Sequence, residues 1–217
     1  PPRSTLFPYT TLFRSLLLGF ILVSVIGYAQ TETNKWKLQL AFGFNYPNVG
    51  GFVSGFEAKP INFPTINIGV QHMFTKTKGV KLDFGYNRFS NADNSAEFKT
   101  NYSRINAQFV YDATLVFGIL PTKIGLVGHI GPGFSIVKPL GNFGANKTSF
   151  LNAIAGVEIH YNVSKTFSVF TDVSYIYSFS GDKTYNPISE GFGTFNGNLF
   201  AVTFGVSVSL SGCYYCD

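Results

Sequence analysis

Charge is what this sequence has least of. Asp, Glu, Lys and Arg together make up 12% of its 217 residues, against about 25% in a typical soluble domain. A water-exposed exterior normally carries many Lys and Glu side chains, so the shortage argues against an ordinary soluble surface. Long apolar runs are also missing. After residue 29 no stretch approaches the ~18 residues of a spanning helix, so the apolar surface of that part must be hidden or used in another way. Cysteine is confined to Cys213 and Cys216. Their C-x-x-C spacing lies outside any βαβ context, so it is a weak redox signal, and two cysteines alone make no zinc site. A local disulfide and an accidental tail remain the two readings of that pair. There is no concentrated basic patch either. Removing Arg3 and Arg14, which lie in a segment set aside below, leaves fourteen basic residues against eleven acidic, a net charge of +3. Nucleic-acid binding is therefore not expected.

What the chain does have is aromatic side chains, 17% of the total, and 23 glycines. They fall in many short segments of alternating character, the pattern of a barrel with its apolar face outside. Two segments precede that pattern. Residues 1–15, PPRSTLFPYTTLFRS, resemble the conceptual translation of a short-read sequencing adaptor and are expected to be an assembly artefact. Residues 16–28, LLLGFILVSVIGY, have the length of a signal-peptide h-region. Gly27 and Ala29 are small residues at the spacing that signal peptidase requires, so the signal peptide (16–29) is expected to end at Ala29. A secretory leader implies export across a membrane.

Eight strands are expected, over 35–46, 65–74, 80–90, 100–113, 123–136, 149–161, 166–179 and 198–210. The first is the cleanest. Trp36, Leu38, Leu40, Phe42, Phe44 and Tyr46 share one face; Lys37, Gln39, Ala41, Gly43 and Asn45 share the other. A period of two puts the sets on opposite sides of a sheet. The bulky set suits lipid and the small or polar set suits a cramped interior. The connections 47–62, 91–98, 137–147 and 180–197 are longer, while 75–79, 114–121 and 162–165 are shorter. Long loops on one side and short turns on the other fit the same class of barrel. Trp36 would lie in the aromatic girdle of the short-turn side, and Tyr46, Tyr86, Tyr175 and Tyr177 towards the girdle of the other. A lipocalin-like barrel is the rival fold; it would turn the bulky face inward.

The last strand, NLFAVTFGVSVSL over 198–210, resembles the closing-strand signal of bacterial outer-membrane barrels through Thr203, Gly205, Val208 and Leu210. With the alternation and the loop asymmetry, residues 30–210 resemble the small outer-membrane β-barrel proteins of the OmpA/OmpX type. That resemblance implies an all-β, eight-stranded antiparallel up-and-down transmembrane β-barrel in the outer membrane of a Gram-negative bacterium. It also implies outer-membrane lipid and, during insertion, the barrel-assembly machinery as partners, and a monomer. The chain departs from the pattern in ending the strand on Leu210 rather than an aromatic, with the tail SGCYYCD (211–217) after it.

The inward face is expected to carry a lumen polar network of Lys37, Lys81, Asp83, Arg104, Asp112, Glu158, His160 and Asp172. Buried charges of both signs must pair, since unpaired ones are costly. The expected outcome is a lumen plugged by polar side chains, with a narrow porin-like channel as the alternative. A lipid-modifying outer-membrane enzyme is the less favoured alternative, and no catalysis, cofactor or metal is expected. His160 with Asp172 is the one acid–base pair worth testing, His129 is expected inward and His72 towards the membrane interface. Phe52, Phe56, Tyr185 and Phe192 are expected exposed on the loops 47–62 and 180–197. Those loops are the expected site of adhesion or contact with an extracellular ligand or surface partner.

Overall fold

The computed structural model describes residues 35–48, 52, 56–118, 120–164, 166–180, 195 and 197–210. The adaptor-like segment, the leader, the 211–217 tail with its two cysteines, Tyr185 and Phe192 lie outside the described residues. Eight strands form, β1 (Trp36–Pro47), β2 (Asn62–Met73), β3 (Lys78–Ser90), β4 (Lys99–Asp112), β5 (Ile124–Pro139), β6 (Thr148–Asn162), β7 (Phe167–Ser178) and β8 (Leu199–Ser209). Each pairs antiparallel with its neighbours, and β8 closes on β1 to give a barrel without a free edge. The closing register runs from Lys37 opposite Ser209 to Pro47 opposite Leu199. Closure satisfies every ladder, the condition for a sheet to sit in lipid.

The strands form where the alternation places them, and the faces are as expected. In β1, Trp36, Leu38, Leu40, Phe42, Phe44 and Tyr46 are exposed, while Gln39, Ala41, Gly43 and Asn45 are buried. The lipocalin-like rival is overturned by this outward turn of the bulky set. The outer face is apolar all round, through residues such as Ile68, Leu82, Phe84, Ile105, Val173 and Phe204. From Trp36 to Tyr46 the strand runs roughly 33 Å at about 3.3 Å per residue. At the ~40° tilt of such barrels this gives a band close to the ~25 Å expected of a lipid-facing belt. Trp36 sits at the short-turn end and packs at a tilt of 46° against the outward-facing His72, ring centroids 4.4 Å apart. Tyr46, Tyr175 and Tyr177 are exposed near the other end.

Some boundaries move. β2 begins at Asn62, three residues before the expected start, so Pro64 lies inside the strand. It is tolerated because the β1–β2 register shifts between Gly43 and Asn45, and a proline without an N–H is accommodated at such an irregularity. β5 runs on to Pro139, and Gly141–Phe143 form a short 3-10 turn. The length rule also has an exception: the short-turn connection between β4 and β5, over 113–123, exceeds the 91–98 loop of the opposite end.

Candidate functional site

The lumen is built in three levels. At mid-height the charges pair. Glu158 on β6 accepts hydrogen bonds from Lys81 Nζ on β3 at 2.6 Å and Gln39 Nε2 on β1 at 2.9 Å. His160 Nε2 lies 2.7 Å from the same carboxylate, and His160 Nδ1 lies 3.1 Å from the Ser168 hydroxyl. Arg104 on β4 donates to Asp83 on β3 at 2.7 Å and to Asn106 and Asn67, both at 3.0 Å. Gln108 donates to the second Asp83 oxygen. Asp172 on β7 holds His129 of β5 at 3.1 Å and accepts the Ser174 hydroxyl at 2.7 Å. The bonds run on from Asn106 to Asn152, to Ser135 and to Tyr102. All these ionic groups are buried, so each pair forms in a low-dielectric interior where a lost partner is expensive.

Glycine makes room for the larger groups. A Cβ on Gly85 would stand 2.6 Å from Arg104 Nε, and one on Gly156 would stand 2.5 Å from His129 Nε2. Both glycines face the lumen, where the absence of a side chain admits a guanidinium or an imidazole beside the barrel wall. The space left among the mid-lumen residues is about 20 Å³, room for about one water.

Towards the long loops the lumen changes character. Phe89, Tyr102, Val137, Phe150, Ile154, Ile176, Leu199 and Ala201 point inward from the strands. Phe52, Ala58, Phe98 and Phe195 pack on them from the loops. Phe52 stands 4.7 Å from Phe195 and 5.6 Å from Phe98 between ring centroids. Aromatic contacts at these separations add to the gain from buried area. The polar-plug expectation is therefore corrected: the plug is polar at mid-height and aromatic above. Phe52 is buried and Phe56 packs partly buried against the same cluster, so neither is a free surface aromatic. Phe98 and Phe195 were not anticipated as lumen residues.

At the short-turn end the lumen opens into a cavity of about 570 Å³. Two residues assigned to the network are here instead. Lys37 is half-buried and pairs with no described carboxylate, while Asp112 accepts the backbone N–H of Thr114 at 3.0 Å. His160 and Asp172, the acid–base pair singled out for testing, do not meet. In the β6–β7 register Asp172 stands opposite Glu158, and His160 stands opposite Phe170, on which its ring stacks at 5.0 Å. Each acid thus takes a different histidine.

No known family's sequence pattern matches this chain, and no curated protein sequence does either. Solved structures do. A major outer membrane protein from Thermus thermophilus superposes with a TM-score of 0.54 at 12% identity, over 80% of this chain and 98% of its own. The outer membrane protein OprG from Pseudomonas aeruginosa gives 0.54 at 11% identity, over 82% and 97%. Neisserial surface protein A gives 0.51 at 12% identity, over 83% and 99%. At these identities the likeness is one of fold. The chain has the architecture of the small outer-membrane β-barrels, as the alternation and the closing strand imply.

Proposed function

We propose that the protein is a sealed barrel of the Gram-negative outer membrane. Its role is structural, or lies in surface contact made by the long loops. The observation that carries this is the combination of an unbroken apolar exterior with a lumen filled by two stacked plugs. An apolar belt of membrane height has no use in water, and a lumen with about 20 Å³ left at mid-height offers no continuous water path. The closing strand β8, with Thr203, Gly205 and Val208, is the segment through which the barrel-assembly machinery would engage the chain. The barrel acts as a monomer, and the rigid wall presents the loops between β1 and β2 and between β7 and β8 to an external partner.

The channel alternative needs a path that the aromatic plug and the Arg104–Asp83 and Lys81–Glu158 pairs together obstruct. The enzymatic alternative would draw on His160, whose two ring nitrogens are engaged by Glu158 and Ser168; that engagement suits holding the wall together. Reconstitution in planar bilayers tests the choice. In concentrated KCl the protein is expected to leave the bilayer at baseline conductance. Steady, ohmic unit steps from purified, folded protein would favour the narrow channel.

A further inference from the structure

The mid-lumen cations all have carboxylate partners: Lys81 has Glu158 and Arg104 has Asp83. Lys37 has none among the described residues. It points from β1 into the 570 Å³ cavity, opposite Ser209 on β8 and Gln71 on β2. Lys35 and Lys76 line the same cavity, and Asp112 is its one carboxylate among the described lining residues. Asp112 forms no ion pair with Lys37 and is turned to the Thr114 backbone. The wall beside Lys37 carries the hydroxyls of Ser207 and Ser209. A half-buried ammonium next to low-dielectric walls is costly without a counter-charge. Adjacent hydroxyls can donate to the remaining lone pairs of an oxyanion, and the volume is within the ~300–1,000 Å³ of ligand pockets.

We infer that this cavity binds the oxyanion group of a ligand, a phosphate or a carboxylate, with Lys37 as its principal contact. The chemistry is shared by two sources at that end of the barrel, an anionic lipid headgroup and a soluble anionic molecule. The inference is independent of the sealed-lumen proposal, because the cavity lies below the plug and a ligand there need not pass through.

The test uses the full-length protein with its lysines reductively methylated with ¹³C, observed by NMR, the Lys37 signal being assigned through Lys37→Gln. Inorganic phosphate and acetate are titrated in zwitterionic detergent. Nanodiscs of phosphatidylcholine alone are compared with nanodiscs containing phosphatidylglycerol. A saturable shift of the Lys37 signal is expected with at least one soluble anion. Lys37→Gln should weaken binding, read on backbone amides near Ser207, by about tenfold, the loss of one charge-assisted hydrogen bond. Migration of the unboiled variant on SDS gels should be unchanged, showing that it is folded. A further shift in phosphatidylglycerol nanodiscs at constant salt assigns the lipid source, and its absence assigns the soluble one. A linear, non-saturating response that survives Lys37→Gln would overturn the inference. So would a Lys37 signal that ignores both anions and moves only when residues 211–217 are deleted, since the chain's own end would then fill the cavity.

Discussion

Glu158→Gln is expected to destabilise the folded barrel by about 3–5 kcal/mol, the cost of leaving one partner of a buried ion pair uncompensated. Glu158 is the hub of the mid-height network. It meets Lys81, Gln39 and His160 at 2.6, 2.9 and 2.7 Å with about 1% of its side chain exposed. The amide keeps the shape and removes the charge, and it turns an N–H₂ towards one of three donors. Urea unfolding in lipid, followed to its midpoint at constant slope, measures the change. Pairing Glu158→Gln with Lys81→Met should recover part of the loss, because two matched apolar or neutral groups cost less than one stranded charge. A loss under about 0.5 kcal/mol, the level of an ordinary surface change, would mean that the mid-height lumen is held by packing rather than by this hub.

The second large effect belongs to the outer wall. Phe84 lies near mid-height on β3, outward, opposite Ile68 on β2 and Ile105 on β4. Phe84→Arg is expected to cost about 2–4 kcal/mol in a bilayer, the penalty for a charge on the lipid face near the midplane. Phe84→Leu should stay within about 1.5 kcal/mol, as an apolar exchange of similar kind. If the wall faced water, the arginine would be neutral or would improve solubility. Folding equilibria in vesicles compare the two variants directly, and equal behaviour would place this face outside lipid.

All eight strands were legible because the period-two signal is strong when one face is lipid and the other is crowded. In β1 each outward residue is bulky and each inward one from Gln39 to Asn45 is small or polar, and the burial follows that alternation residue by residue. Parity also identified the inward charges. It could not pair them, since partners are set by register between strands. Glu158 and Asp172 stand opposite each other, and two carboxylates so placed repel. They turn to different partners, Glu158 across the lumen to Lys81 and Asp172 to His129. Lys37 shares parity with Gln39, but Gln39 sits two residues further into the barrel and takes the place beside Glu158.

The aromatic plug was missed for a different reason. Phe89, Tyr102, Phe150 and Ile176 fall at inward parity near the loop ends of their strands. An inward apolar cluster at one end was therefore readable. Phe52 and Phe195 were not, because no alternation extends into connections. Only the fold brings Phe52 and Phe195 onto the inward cluster, where burying each ring is worth about 1.5–3 kcal/mol.

The most direct test of a closed membrane barrel is the migration of the 30–210 segment on SDS gels, boiled and unboiled, after refolding with and without detergent or lipid. A barrel with no free edge resists SDS, so the unboiled protein should migrate differently from the boiled one, and only when an amphiphile was present during refolding. A protein that stays soluble without detergent and shows no shift on boiling would contradict the closed, lipid-embedded barrel.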